Sequence, residues 1–542
     1  MKKIVKLASI AFLSLAAVSC NDWLDDVESK SVVDDVAVFD SQTTIDYYVD
    51  GFYTWIGTYG QLDMNNRQFS GSWTEAMTDI FKYSGSFIFA RAGQPNSYAE
   101  AAVPMSPDGN LLSCWDNAYS AIRRVNQFLS LEQKYAGGYR EDLRLRWQAQ
   151  ARFFRAFMNF QLAKRHGGSI ILFDALPDGP NKARSSAEDV WNFIEEDLDF
   201  AAANLPESWN AANQGRITKY AALAFKSRVM LYAERWQKAY DAANLVIQSG
   251  KYDLVDDYAQ AWKGGNKESI IECRYNAQLG PNTQFDFYYT PSTDGSTGAC
   301  GPAPTQELVE SYEKADGSKV DWNPWHDSTR DVPPYDQLEP RFAATVLYPG
   351  CTWKGITLDM SVQGPNVTFF DYGTQTQAMG NTCTGYLVRK LLNEDMTDVV
   401  GVRSDQPWVE LRFAEVLLNF AEAAYNLNKM DDARGALNRV RARVGLPGKT
   451  STGTAFFDDY RNERKIELAF EGQLYWDMVR WRLCATEYNN YRRHGVKISN
   501  GTYYYVEVDD NTLYYSDKCY ILPVPQTEMN NNNLIEQYDN WK

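Results

Sequence analysis

The chain is short of the residues from which reaction centres are usually built. Its 542 residues include three histidines, His166, His326 and His494, none within a helical turn or two of another. A metal centre or a Ser-His-Asp arrangement therefore has little to draw on. The eight cysteines are scattered without a C-x-x-C pair, which argues against a zinc site or a disulfide framework. An oxidising compartment would still permit one or two disulfides. Basic residues are outnumbered, 54 Lys and Arg against 70 Asp and Glu. The net charge of −16 gives no electrostatic basis for holding nucleic acid or anionic lipid. No cofactor is expected, although a structural metal ion stays open.

Long apolar runs are missing too, and the one run present is informative. Lys2, Lys3 and Lys6 precede the apolar stretch Leu7 to Ala17, which falls short of the about 20 residues that span a bilayer. It reads as a secretory signal. Ala17-Val18-Ser19-Cys20 then resembles a bacterial lipoprotein cleavage box, with Cys20 as the lipidated N-terminus. Acyl chains on Cys20 would be the only membrane anchor. Loss of residues 1–19 removes three lysines and no acids, taking the net charge from −16 to −19. Asp22, Asp25, Asp26 and Glu28 follow closely, a pattern similar to a surface-export signal.

What the chain has in abundance is helix pattern and aromatic area. Hydrophobic residues make up 44% and aromatics 14%, ample for a large core. The periodicity predicts helices over Val32–Tyr59, Leu111–Tyr135 and Glu141–His166, the last closed by Gly167-Gly168. Ser185 to Glu188 reads as a capping box opening a helix to about Leu205. Thr218–Glu234 and Trp236–Ser249 form an alanine-rich helical pair, and Trp408–Leu427 with Met430–Val444 repeat the habit. These pairs resemble tetratricopeptide-type hairpins in diverged form. Tyr460 to Arg482 is predicted to be one amphipathic helix with Glu463, Glu467 and Glu471 on one face, Arg464 set to pair with Glu467 and Arg480 with Asp477. Three carboxylates among arginines are expected to be held ionised in a helix–helix contact rather than poised for acid–base catalysis. The fold class expected is mostly α: helix hairpins carrying a large region of loops and short strands.

That irregular region spans about 264–405. It is rich in glycine, proline and aromatics, with Gln306–Tyr312 its main helical pattern and with strand-like pieces at Ser269–Tyr275 and Ala343–Tyr348. Loops on a rigid scaffold are where binding groups usually sit. Most aromatics must pack in cores, Trp115 among them. Rings flanked by glycine, proline or polar residues are the better candidates for stacking on a flat ligand face. Trp322, Trp325, Trp353 and Tyr372 meet that test in this block. No carboxylate pair is nominated as catalytic by its spacing.

Several stretches jointly resemble the SusD/RagB family of outer-membrane nutrient-binding lipoproteins. They include Cys20-Asn21-Asp22-Trp23-Leu24-Asp25, Ala151 to Phe157 with Arg165-His166-Gly167-Gly168, and Gly215 to Lys219 with Ser249 to Tyr252. Further along come Leu411 to Leu418, Asn438 to Arg443, Glu463 to Gly472 with Arg480-Trp481, and Leu522 to Glu528. The resemblance implies four tetratricopeptide-like helix pairs and a non-enzymatic protein lying as a lid over a SusC-like TonB-dependent transporter. Thr78-Asp79-Ile80-Phe81 also resembles a family segment near the ligand face, which implies a second candidate binding group in the N-terminal half, Asp79 and Phe81 with Tyr83 and Arg91 nearby. Such a protein would capture an oligosaccharide or other glycan and deliver it for uptake. The expected organisation is a signal peptide at 1–19, an N-terminal half at 20–263, and a C-terminal half at 264–542 holding the irregular block and returning hairpins. The expected location is the outer membrane, facing the cell exterior. Two rival readings are an anchored glycoside hydrolase and a tetratricopeptide-like adaptor that binds only proteins.

Overall fold

The computed structural model describes residues 37–61, 74–83, 106–109, 112–179, 181–276, 286, 289–295, 302–327, 331–371, 381–509 and 512–542. Cys20 and the expected signal peptide lie outside them. Helices carry most of the chain. The N-terminal ones are α1 (Gln42–Asp50), α2 (Thr54–Tyr59), α3 (Trp115–Tyr135), α4 (Glu141–Arg165), α5 (Ala187–Asn204), α6 (Lys219–Tyr232) and α7 (Trp236–Gln248). Three short ones, α8 (Gln306–Ser311), α9 (Asn323–Asp327) and α10 (Pro340–Thr345), lie in the irregular block. The chain returns to helix in α11 (Phe413–Asn426), α12 (Met430–Arg443), α13 (Gly453–Glu467), α14 (Leu474–Arg480), α15 (Cys484–Glu487) and α16 (Gln526–Asn531). Among the described residues no helix is long and apolar enough to cross a membrane.

Neighbouring helices form one continuous row: α3 on α4, α4 on α5, α5 on α6, α6 on α7, α7 on α11 and α11 on α12. More than 150 residues of irregular chain separate α7 from α11 in sequence, yet the two helices pack directly. Alanines make this close approach feasible, since Ala239, Ala242 and Ala243 of α7 and Ala421, Ala423 and Ala424 of α11 are all buried. Local signals set the helix ends. The Ser186 hydroxyl accepts the Asp189 N–H at 3.1 Å to start α5, and left-handed Gly167 and Gly168 end α4.

The strands are β1 (Phe81–Tyr83), β2 (Ser269–Cys273), β3 (Pro302–Pro304), β4 (Val346–Leu347), β5 (Thr352–Trp353), β6 (Ile356–Thr357), β7 (Leu387–Val388), β8 (Trp408–Arg412), β9 (His494–Ser499) and β10 (Thr502–Glu507). All pair antiparallel in twos: β1–β3, β2–β8, β4–β7, β5–β6 and β9–β10. The expected helical start at Trp408 is therefore displaced. Residues 408–412 are fully buried strand, and the helix begins at Phe413. Ala343–Tyr348 similarly divides into the end of α10 and β4, because Pro340 fits the first turn of a helix.

Tyr460 to Arg482 is not one helix. The turn after Glu467 places Phe470 and Gly472 at φ 66° and 73°, and a Cβ on Gly472 would lie 2.7 Å from the Gln61 carbonyl oxygen, so glycine is required there. Glu471 thus leaves the helix, but all three carboxylates still converge on buried cations. Arg412 donates to Glu467 at 2.6 Å, Glu268 at 2.7 Å and Glu471 at 2.9 Å. Arg341 reaches Glu463 at 2.5 Å and Glu467 at 3.0 Å, Arg443 also binds Glu467, and Lys390 binds Glu471 at 2.6 Å. Burial alone would raise the Glu467 pKa, but Arg443, Arg412 and Arg341 hold it well below the ordinary glutamate range. Arg464 pairs with Asp477 at 2.6 Å rather than with Glu467, while Arg480 does meet Asp477 at 2.9 Å.

This network sits between two cores. The scaffold core draws on Phe154, Phe225, Phe413 and Tyr460, from both halves of the chain. A second core gathers Phe81, Trp322, Trp353, Tyr386, Trp408, Phe470 and Tyr475. Helix α13 serves both, with Tyr460 in the first and Ile466 in the second.

Candidate functional site

Members of both sequence-predicted groups, Phe81 from one and Trp322, Trp325 and Trp353 from the other, belong to the second core. Strand β1 carries Phe81 and Tyr83 and pairs with β3, which leads into α8. The Thr305 hydroxyl, just before α8, donates to the Asp79 carbonyl. The Asp79 carboxylate accepts from Lys465 at 2.8 Å and from the Tyr488 hydroxyl at 3.1 Å, and its side chain is part-exposed.

Four of the predicted rings are not surface platforms. Phe81 is fully buried against Phe470, with centroids 5.6 Å apart. Trp353 is 1% exposed, and its indole N–H donates to Asp294 at 3.1 Å. Trp322 and Trp325 are buried edge to face, 6.1 Å apart. The reason is that a block of loops and two-residue strands still needs an apolar interior, and aromatics supply the most area per residue. Tyr83 is described as strand backbone opposite Pro302. Arg91, Tyr372 and Cys20 lie outside the described residues.

Partly open rings gather just above Trp325. The β9–β10 register sets Tyr505 opposite Val496 and Glu507 opposite His494. The Tyr505 ring stacks on His494 (4.4 Å, 8°) and on His326 of α9 (4.0 Å, 23°), with the Trp325 edge 5.6 Å away. Two carboxylates three residues apart on α8 grip the outer imidazoles. Glu307 holds His494 Nδ1 at 2.7 Å, the His494 backbone N–H at 2.9 Å and the Tyr491 hydroxyl at 2.7 Å. Glu310 holds His326 Nε2 at 2.6 Å and the Gln306 amide at 3.0 Å. Burial raises the Glu310 pKa against the opposing pull of His326, and burial together with Glu307 raises that of Tyr491. The side chains stay partly open, His326 at 23% and Glu310 at 24% exposed.

A three-ring stack edged by Glu307, Glu310 and the Tyr491 phenol can grip a flat, hydroxyl-bearing molecule. Ring faces and edges meet its C–H groups, and the carboxylates accept its O–H groups. The individual histidines were visible in the sequence, but their convergence was not, because residues 326, 494 and 505 come from separate elements. The one available hint was alternation in Tyr503-Tyr504-Tyr505, which places Tyr503 and Tyr505 on one face of the hairpin. Among the described residues no three His, Cys, Asp or Glu side chains are grouped to hold a metal ion. A separate cavity of about 520 Å³ opens on the scaffold side, lined by Tyr53, Arg216, Cys273 and Tyr275 among others.

The profile of the SusD family matches residues 267–541. The chain belongs to the SusD family. A second profile, described as starch-binding and associating with the outer membrane, matches residues 22–231. A SusD-like protein of Bacteroides ovatus is 25% identical over 400 residues, covering 69% of this chain and 66% of that protein. A SusD-like protein of Formosa agariphila is 24% identical over 511 residues, covering 89% and 92%. The crystal structure of a SusD-like protein from Bacteroides fragilis superposes with a TM-score of 0.78 at 26% identity, covering 94% of this chain and 98% of that one. A laminarin-binding SusD-like protein shares the fold, with a TM-score of 0.64 at 21% identity over 92% and 99% of the two chains.

Proposed function

We propose that this chain is a lipid-anchored glycan-binding subunit of the outer membrane. In this reading it faces the cell exterior and passes oligosaccharide to a SusC-like TonB-dependent transporter without chemical turnover. Its membership of the SusD family carries the reading, with support from the laminarin-binding neighbour and from the starch-binding description of the N-terminal profile. The Tyr505 stack is the described surface best suited to a sugar, since it joins aromatic rings to acceptors without burying either. Glu463, Glu467 and Glu471 are committed to buried cations, which favours binding over carboxylate catalysis at that network.

The test uses the soluble mature chain lacking Cys20. A glycan array identifies a ligand, and calorimetry then compares the wild type with Tyr505→Ala. Loss of about tenfold in affinity or more, ~1.4 kcal/mol, is expected, with unchanged transporter co-purification from the anchored chain. Hydrolysis of the bound glycan would overturn the reading in favour of an anchored hydrolase. Transporter capture with no glycan affinity would favour the protein-only adaptor.

A further inference from the structure

We propose that the Tyr505 stack takes an uncharged glycan and rejects uronate- or sulfate-bearing ones, with Glu310 as the residue that sets the choice. The inference rests on the glycan-binding reading above and adds to it the charge class of the ligand.

The hydrogen-bonding groups around the three rings are mainly acceptors. A neutral imidazole carries one N–H, and here a carboxylate takes it: His326 Nε2 lies 2.6 Å from Glu310 and His494 Nδ1 lies 2.7 Å from Glu307. That leaves His326 Nδ1 and His494 Nε2 as acceptors. The Tyr491 hydroxyl is also committed to Glu307, at 2.7 Å. Glu310 receives both His326 and Gln306 on Oε1. Among the described residues its Oε2 therefore has no partner, on a side chain that is 24% exposed. A sugar hydroxyl can donate to that oxygen, whereas a carboxylate or sulfate brought there meets like charge.

The described cations of these elements are engaged elsewhere. Helices α8 and α9 carry no lysine or arginine. In the hairpin, Lys497 stands opposite Tyr504, one position out of phase with the Tyr505–Val496 pair, and so projects from the other face. There it binds Asp371 at 2.8 Å. Arg493 is buried on Asp509 at 2.7 Å. Arg492, just before β9, binds Glu507 at 2.8 Å, and Lys465 binds Asp79 at 2.8 Å. Glu507 shares the Tyr505 face of β10, which adds a third carboxylate on the side of the rings. Burial first, and then Glu307, Glu310 and Glu507, push the Tyr505 phenol's pKa upward, so negative charge at that ring is already disfavoured.

The experiment screens the soluble mature chain lacking Cys20 at about pH 8, where imidazole is ordinarily neutral. The array holds uncharged, uronate-bearing and sulfated oligosaccharides, and hits are expected among the uncharged ones alone. Calorimetry then compares an uncharged hit bearing primary hydroxyls with its derivative in which those hydroxyls are oxidised to carboxylates. The derivative should bind at least about tenfold more weakly in low salt. That gap should shrink as salt rises toward about 1 M, where charges are screened within about 3 Å. In Glu310→Gln the carbonyl oxygen must stay toward His326 and Gln306, so the NH2 group faces the ligand. The oxidised-to-parent affinity ratio should then rise about tenfold. An acidic oligosaccharide whose binding is lost in Tyr505→Ala would overturn the proposal. So would a wild-type gap that salt leaves unchanged, a result that needs no variant to fold. Binding of no glycan, uncharged or acidic, is a different failure: it overturns the glycan-binding reading itself, and this inference with it.

Discussion

Glu467→Gln is the sharpest test of the buried ion network. Glu467 is wholly buried and meets Arg341 at 3.0 Å, Arg412 at 2.6 Å and Arg443. Glutamine keeps the volume but removes the charge, and its amide would point N–H groups at guanidinium donors. Each arginine keeps another carboxylate, Arg341 on Glu463 and Glu339 and both Arg412 and Arg443 on Glu268. The site nevertheless gains one uncompensated positive charge in a region closed to water. Breaking a buried pair from one side costs about 3–5 kcal/mol, a large share of the roughly 5–15 kcal/mol typical of folded proteins. Denaturant unfolding followed by tryptophan fluorescence at pH 7 measures it. The pH dependence adds a second check. The folded pKa of Glu467 lies well below its ordinary 4.5, so its contribution is present above that value and lost as pH falls toward the folded pKa. The gap between wild type and variant should therefore stay constant from pH 7 to about 4.5 and narrow below. A variant within about 1 kcal/mol of wild type at pH 7 would refute the claim that this network locks the two cores together.

Two further outcomes follow from burial. Trp353→Ala should destabilise by about 3–5 kcal/mol, as expected for emptying a buried tryptophan site, yet leave affinity for the array-identified glycan unchanged when measured on the folded fraction by calorimetry. Glu75 is buried and accepts the Gly472 N–H at 2.9 Å, and desolvation pushes its pKa up to about 8. The folded state therefore binds the proton more tightly, and stability should fall as pH rises from about 4.5 toward 8. Glu75→Gln should flatten that slope in thermal melts across the range, and an unchanged slope would show that Glu75 does not titrate there.

The helical scaffold was legible in the sequence because its determinants are local. Ser186 caps α5, Gly167-Gly168 ends α4, and the alanines of α6, α7 and α11 mark where helices approach closely. Where local pattern met tertiary demand, the latter won. Trp408–Arg412 became buried strand because it pairs with β2, and the helix through Tyr460 stopped at Glu467 because residues 468–473 must turn tightly past Gln61. Residue types alone likewise showed that the acidic network would be ionised, but not that Glu467 binds Arg341, Arg412 and Arg443 from separate elements.

The site divides in the same way. The sequence by itself determined an aromatic-rich, mostly helical protein of a recognisable family, because composition, periodicity and short motifs survive as linear text. Only the tertiary structure decided which rings remain open. Solvent exposure depends on what packs over a residue, so Trp353 is covered while Tyr505 stands between His494 of its own hairpin and His326, which comes from a helix distant in sequence.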